Sequence, residues 1–109
     1  MGASKSQLFT EQQNELAAVV KALAHPARIS ILEVLSGRNA CICNDLVDEI
    51  QLAQPTVSQH LKELKKIGLI RGNIEGTSIC YCLDHTRIAQ IREMMESFLG
   101  KLEGSSFCC

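Results

Sequence analysis

Residues 54–67, QPTVSQHLKELKKI, decide the fold of this chain. At about 100° per residue, the apolar side chains of Val57, Leu61 and Leu64 form one narrow stripe on a helix, and such a stripe must face a core. Residues 44–51 have the spacing of a shorter helix, and a three-residue turn around 51–53 follows them. Two helices joined by such a turn predict a helix-turn-helix, in which the second helix is the reading helix.

The side chains that point away from this stripe are polar. Amides and hydroxyls can recognise base edges in the major groove of DNA, and lysines neutralise phosphates. Residues 60–73 also contain four basic side chains against one acidic side chain, in a chain whose net charge is only -1. The predicted DNA-contacting residues are Thr56, Ser58, Gln59, His60, Lys62, Lys66 and Arg71. For His60, at the edge of the stripe, a half-buried and hydrogen-bonded position is the alternative.

Two short β-prone runs behind the reading helix, at 69–71 and 78–83, flank a turn at 73–76 and predict a hairpin. A helix-turn-helix followed by a hairpin is the order of a winged helix. Pro26 is suited to open a helix, and Asp84 to cap one. The predicted fold is mainly α with a small β wing, and its elements are helices at about 8–24, 26–36, 44–51, 54–67 and 84–99, with the hairpin at 69–83.

With 109 residues, the chain is long enough for one domain but not for two. We expect residues 1–103 to form the winged domain with dimerising terminal helices, and 104–109 to form a flexible tail. In the last helix the apolar residues step by three and four, as in a coiled-coil seam: Ile88, Ile91, Met95, Phe98 and Leu102. A homodimer seam is favoured over packing on the chain's own core, because two copies can bind two half-sites about one helical turn apart.

Composition restricts the class of protein. The chain has no apolar run long enough to cross a bilayer and no apolar signal core at its start, so we expect a cytoplasmic protein without a membrane partner. An enzyme is not expected. A phosphatase-type loop needs a cysteine, five residues and an arginine, and neither that spacing nor a Cys-x-x-Cys motif occurs.

The six cysteines lie in three close pairs, 41/43, 80/82 and 108/109. A disulfide between near neighbours closes almost no loop, so the pairs indicate soft-metal ligands or redox thiols. Cys41 and Cys43 point the same way only if their segment is extended, so chelation would reshape the connector before the reading motif. Cys80 and Cys82 share one face of a strand, where they either bind a ligand together or fill space as small apolar groups.

Four stretches together resemble the arsenic-repressor (ArsR/SmtB) family: HPARI at 25–29, QPTVSQHLKEL at 54–64, GLI at 68–70 and EG at 75–76. The resemblance covers about residues 16–99. It implies a winged-helix homodimer that binds double-stranded operator DNA, represses its own operon and is released by a metal or metalloid. Ala53 departs from the capping serine that the family often has, and Thr77 from a basic wing residue.

The segment CICNDL at 41–46 resembles the Cys-Val-Cys-Asp-Leu-Cys arsenic site of some family members. This resemblance implies trivalent arsenic as an inducer held by Cys41 and Cys43, with no catalytic cofactor. The third cysteine of that pattern falls on Val47, so we expect Cys108 and Cys109 to supply it from a tail that leaves the last helix near residue 99 and spans roughly 30 Å. Persulfide or oxidant sensing, and another soft metal such as cadmium or lead, are the alternatives.

Overall fold

The structure of the chain is a computed structural model that describes residues 7–37, 50–75 and 78–104. Within these residues it contains four helices and a two-stranded antiparallel hairpin: α1 Glu11–Leu23, α2 Pro26–Ser36, α3 Gln54–Lys66, β1 Ile70–Glu75, β2 Ser78–Leu83 and α4 His85–Glu103. The predicted winged helix-turn-helix is confirmed. Of the predicted helix at 44–51, the described residues include only helical Ile50 and Gln51, which belongs to the turn.

Three helices begin with the caps that local chemistry favours. Thr10 and Gln13 form a reciprocal capping box at α1, so this helix starts three residues later than the predicted position 8. Pro26 opens α2, and the Nδ1 atom of His25 accepts a hydrogen bond from the backbone N–H of Ala27. Asp84 caps α4 as predicted.

The reading helix α3 is the exception. Its N-cap residue is Ala53, whose side chain makes no capping hydrogen bond, although its backbone (φ -62, ψ 147) is the extended conformation that a capping serine adopts. The first turn of α3 therefore lacks a stabilising contact that this backbone geometry would accommodate.

Replacing Ala53 with serine should stabilise the chain by about 1 kcal/mol, because the new hydroxyl can accept a hydrogen bond from the first turn of α3. Urea unfolding followed by circular dichroism would measure this gain. Ala53→Val, which offers no acceptor, is the matched control. An unchanged unfolding midpoint for Ala53→Ser would contradict the prediction.

The core lies where α3 meets the other helices and the start of the wing. Val57, Leu61 and Leu64 are buried, which confirms the predicted stripe of the reading helix. They form one cluster with six other buried residues, and Tyr81 and Leu83 of β2 pack against it. The six are Val19, Ile31, Leu35, Leu69, Ile70 and Ile91. The reading helix is therefore held on its apolar side by most of the fold.

The connection from α3 to the wing is a tight turn at Gly68. Its φ of +85° lies in the left-handed region that favours glycine, and a Cβ there would meet the Cγ atom of Arg87 at 3.1 Å. The hairpin pairs Ile70 with Leu83 through to Glu75 with Ser78. The backbone N–H of Asp84 donates to the carbonyl of Leu69, so the wing begins and ends at the base of α4.

The last helix differs from the prediction in length and in the role of its apolar stripe. It continues past residue 99 to Glu103, so the reach of roughly 30 Å predicted for a tail that leaves the helix near residue 99 is wrong. The five residues that follow Gly104 can span at most about 17 Å. Ile91 is buried, while Ile88 and Met95 pack against the chain's own core. Only the second half of the stripe is exposed, with Phe98 at 43% and Leu102 at 57% of full exposure.

Among the helices of the described residues, none is both long and apolar enough to cross a bilayer.

Candidate DNA-binding surface and thiol site

One face of α3 is open to solvent and carries five of the residues predicted to contact DNA. Thr56, Ser58, Gln59, Lys62 and Lys66 are all exposed, on the side of the helix that is turned away from the core. We call these five residues the reading face. The helical period places them there because the buried stripe takes up the opposite side.

Glu63 organises the centre of this surface. One of its carboxylate oxygens, Oε2, accepts a hydrogen bond from Nε2 of Gln59 at 3.1 Å and lies 3.7 Å from Nζ of Lys66. An exposed ion pair of this kind contributes little to stability. Its effect is to fix the positions of the Gln59 amide and the Lys66 ammonium group on the reading face before DNA binds.

Arg71, the predicted contact on the wing, lies on β1 just after the reading helix. Its guanidinium is 4.0 Å from a carboxylate oxygen of Asp84, and its side chain is 66% exposed. This long contact leaves the positive charge accessible, so Arg71 extends the basic surface from α3 onto the wing.

His60 is the predicted contact that the structure does not place on the reading face. It is only 7% exposed, and its Nδ1 atom accepts a hydrogen bond from Nε of Arg28 at 3.0 Å. Arg28 also donates to the carbonyl of Ala22, and the rings of His25 and His60 are 4.4 Å apart. His60 therefore anchors α3 to the junction of α1 and α2.

A second anchor holds the C-terminal end of the reading helix. The Nε atom of Arg87, in the first turn of α4, donates to the carbonyl of Ile67 at 2.9 Å, just beyond the C-terminus of α3. The same guanidinium forms a 3.0 Å ion pair with Glu15 on α1. Three helices thus meet at one side chain, and the reading helix is held in place at this end by a charge-assisted hydrogen bond.

Sequence reasoning missed both anchoring arginines. Arg28 lies within the HPARI stretch that carried the family resemblance, but nothing in its spacing showed that it would bond to His60. Arg87 follows the helix cap Asp84 by three residues, and its role depends on Ile67, which is 20 residues away in the chain. Such contacts become visible only when the helices are assembled.

Comparisons with known proteins agree with this geometry. Residues 25–71 match the family model described as the arsR family of bacterial regulatory proteins. The chain is 34% identical over 82 residues to the arsenical resistance operon repressor of Staphylococcus xylosus, covering 75% of this chain and 78% of that protein. The chain belongs to the arsR family. It is thus a DNA-binding transcriptional regulator, as the sequence resemblance predicted.

Two further relatives widen the comparison. A cadmium resistance regulatory protein, the CadC homolog of Staphylococcus aureus, is 33% identical over 104 residues, which cover 94% of this regulator and 84% of that protein. The homodimeric winged helix-turn-helix domain of Mb0332 from Mycobacterium bovis has the same fold, with a TM-score of 0.64 at 22% identity. That match covers 100% of this chain and 97% of the other. The two staphylococcal relatives bear the names of transcriptional regulators, in line with the expectation that the chain is not an enzyme.

The buried histidine makes the stability of this arsR-family regulator depend on pH. Burial lowers the pKa of His60 below its ordinary value of 6.5, and the charges of His25 and Arg28 lower it further. The folded chain then binds this proton less readily than the unfolded chain does. The contribution of His60 to stability is complete above the unfolded pKa of about 6.5 and is lost as the pH falls through the lower, folded value.

His60→Asn should remove this pH dependence, because an amide oxygen can accept the hydrogen bond from Arg28 but does not titrate. We expect the wild-type urea midpoint to fall more steeply than that of the variant as the pH is lowered from about 6.5. His85→Asn, at an exposed histidine, is the control and should keep the wild-type slope. Equal slopes for wild type and His60→Asn would rule out His60 as the source.

The cysteines predicted to bind the inducer, Cys41, Cys43, Cys108 and Cys109, lie outside the described residues. Within the part of the chain that the structure describes, no group of three or more His, Cys, Asp or Glu side chains is placed to hold a metal ion. Cys80 and Cys82 on β2 are described, and both are disulfide-bonded. Cys80 is completely buried and Cys82 partly so.

Proposed function

We propose that this arsR-family regulator is a cytoplasmic homodimeric repressor that binds double-stranded operator DNA through the reading face and Arg71. The observation that carries the proposal is the position of α3: its polar face is exposed, while His60 anchors its middle and Arg87 anchors its C-terminal end. A helix held in this way can enter a major groove with its amides and hydroxyls already oriented. The name of the Staphylococcus xylosus relative, an arsenical resistance operon repressor, supports repression. The homodimeric domain of Mb0332 supports a homodimer.

A dimer is needed to bind the operator tightly and to contact enough base pairs. A single reading helix contacts only a few base pairs, whereas two copies bind half-sites about one helical turn apart. The exposed apolar end of α4, with Phe98, Leu99 and Leu102, offers a surface for the second copy. Exposed apolar side chains clustered in this way are typical of an interaction surface.

The inducer in this proposal is trivalent arsenic bound by cysteine thiolates that include Cys41 and Cys43. Its support is the Cys-x-Cys spacing just before the helix-turn-helix and the arsenical relative. Chelation would hold residues 41–43 extended and reshape the connector before the helix-turn-helix. The distance between the two reading helices of the dimer would then no longer match the spacing of the half-sites. Another soft metal is the second candidate, favoured by the cadmium relative, and persulfide or oxidant sensing is the third.

A titration of a protein–DNA complex tests the proposal. A duplex selected from a random-sequence pool by the wild-type protein is labelled with a fluorophore, and the complex is titrated under reducing conditions with arsenite, cadmium, zinc or persulfide. We expect arsenite to release the DNA from wild type and not from Cys41→Ser or Cys43→Ser. Release by persulfide alone would remove arsenic from the proposal, and a protein that selects no duplex would refute operator binding.

A further inference from the structure

Among the 13 residues of the reading helix, only Glu63 is acidic. At about 100° per residue, its side chain lies about 40° from that of Gln59, which points almost directly away from the buried stripe. The carboxylate of Glu63 is therefore at the border of the reading face, where it repels the DNA phosphates that Lys62 and Lys66 attract. A neutral residue at this position would give DNA in general a higher affinity, so the function of Glu63 is sought in its contacts.

The hydrogen bond between Gln59 and Glu63 fixes the orientation of the Gln59 amide. Its Nε2 atom donates to Oε2 of Glu63 at 3.1 Å. An ionised carboxylate only accepts hydrogen bonds, so a reversed amide would place its own carbonyl oxygen against a negatively charged oxygen. Within the described part of the chain no other group bonds to this amide, and its carbonyl oxygen and second N–H are available to a ligand.

The surroundings of the pair restrain both side chains. Oε2 of Glu63 lies 3.7 Å from Nζ of Lys66, and the Glu63 side chain is only 29% exposed. His60 and Leu64, which follow Gln59 and Glu63 in the chain, are both buried. The backbone that carries the pair is thus held by the core, and the carboxylate is held beside an ammonium group.

An amide in this state is selective among the four bases. Adenine offers an N6 amino donor beside the N7 acceptor in the major groove, and a glutamine carbonyl oxygen and N–H can bind both. Guanine offers two acceptors, N7 and O6, which would need both N–H groups of the amide, and Glu63 occupies one of them. Thymine has one acceptor beside a methyl group and cytosine one donor, so each satisfies only half of the amide.

We propose that Glu63 is a specificity-determining residue that orients Gln59 to recognise one adenine in each half-site of the operator. The inference rests on the proposed binding of operator DNA and names the base that the centre of the reading face recognises. Glu63 acts on this base through Gln59. Its charge also acts directly on the DNA backbone, since duplexes that offer no adenine contact are still repelled by the carboxylate.

Sequence selection tests the inference. Wild type and the variants Gln59→Ala, Glu63→Gln and Glu96→Gln each select duplexes from a random-sequence pool, and the bound DNA is sequenced. Glu96→Gln is the matched control, because Glu96 accepts an i,i+4 hydrogen bond from Arg92 at 3.0 Å on α4, away from the reading face. The position whose base preference is lost in Gln59→Ala is the one that Gln59 contacts.

We expect adenine at that position in the wild-type and control selections. Guanine there in both half-sites should weaken wild-type binding by roughly 30-fold, as expected for two mismatches. In Glu63→Gln the loss should be less than about fivefold, because an amide partner can both donate and accept and leaves Gln59 free to reverse. Preferences at the other positions should be kept.

Affinity for DNA of unrelated sequence gives a second readout. The Glu63→Gln dimer lacks two negative charges near the phosphates, so it should bind such duplexes roughly threefold more tightly than wild type. A carboxylate that only stabilised the helix would not produce this gain. The urea midpoint should be nearly unchanged, since exposed pairs contribute little to stability. Glu63→Ala, which keeps a strong helix former, should also lose the adenine preference.

The outcomes distinguish this inference from the proposed function. Glu63→Gln and Glu63→Ala proteins that keep the adenine preference overturn it, and so does a wild type that prefers another base at the Gln59 position. A folded Glu63→Gln protein that loses its preference at every position also overturns it, because the effect would not act through Gln59. In these three cases operator binding itself is unaffected as a proposal, whereas a wild type that selects no duplex refutes both.

Discussion

Replacing Lys62 and Lys66 together with glutamine is expected to weaken operator binding by roughly 300-fold at about 0.2 M salt. Both side chains are exposed on the reading face, on the side of α3 opposite the core. Each lysine–phosphate contact releases counterions from DNA, which at this salt concentration is equivalent to about a fourfold gain in affinity. A homodimer loses four such contacts. The slope of log affinity against log salt should therefore become shallower by about 3.6.

Fluorescence anisotropy of a labelled operator at several salt concentrations would measure both quantities. The matched control is Lys21→Gln with Arg92→Gln, which removes the same charge from exposed positions on α1 and α4. The control should change the slope by less than one. If both double variants lose the same affinity, the effect comes from the overall charge of the protein and not from the reading face.

Placing aspartates at Phe98 and Leu102 is expected to convert the protein to a monomer and to reduce operator affinity by roughly 100-fold or more. These side chains are exposed near the C-terminus of α4, whereas Ile91, earlier in the helix, is buried in the chain's own core. Two like charges on each copy would have to be desolvated and brought together to re-form the interface. Without a dimer, the second half-site no longer binds at high effective concentration.

Sedimentation velocity gives the mass, and anisotropy gives the affinity. Ala89→Asp with Ser97→Asp adds the same charge to exposed positions on the opposite side of the helix and serves as the control. The control should remain dimeric and bind DNA. A Phe98→Asp/Leu102→Asp protein that stays dimeric would show that the copies associate through another surface.

The sequence predicted the main elements because each carries its own local signal. The stripe of Val57, Leu61 and Leu64 follows the helical period, and Pro26 and Asp84 occupy the positions that open and cap helices. The missing cap at Ala53 was equally visible, because capping depends on one residue and its backbone. The same logic placed the five residues of the reading face, which the structure shows to be exposed.

The sequence mispredicted the end of the last helix and the environment of its apolar face, because neither is set by neighbouring residues alone. The last helix continues to Glu103 although Gly100 weakens helical propensity, because the intrinsic cost of one glycine is only about 1 kcal/mol. The apolar residues from 88 to 102 repeat with one helical period throughout. The first half of this stripe packs on the core, whereas the second half is exposed. Periodicity identifies an apolar face, but it does not say which surface covers it.

By itself, the sequence determined the winged helix-turn-helix, the polar face of the reading helix and the membership of a family of regulators, since all three depend on residues close together in the chain. Only the tertiary structure decided that His60 is buried and accepts a hydrogen bond from Arg28, and that Arg87 fixes the end of the reading helix from 20 residues away. These features depend on distances between elements that are remote in the chain, and packing alone sets those distances.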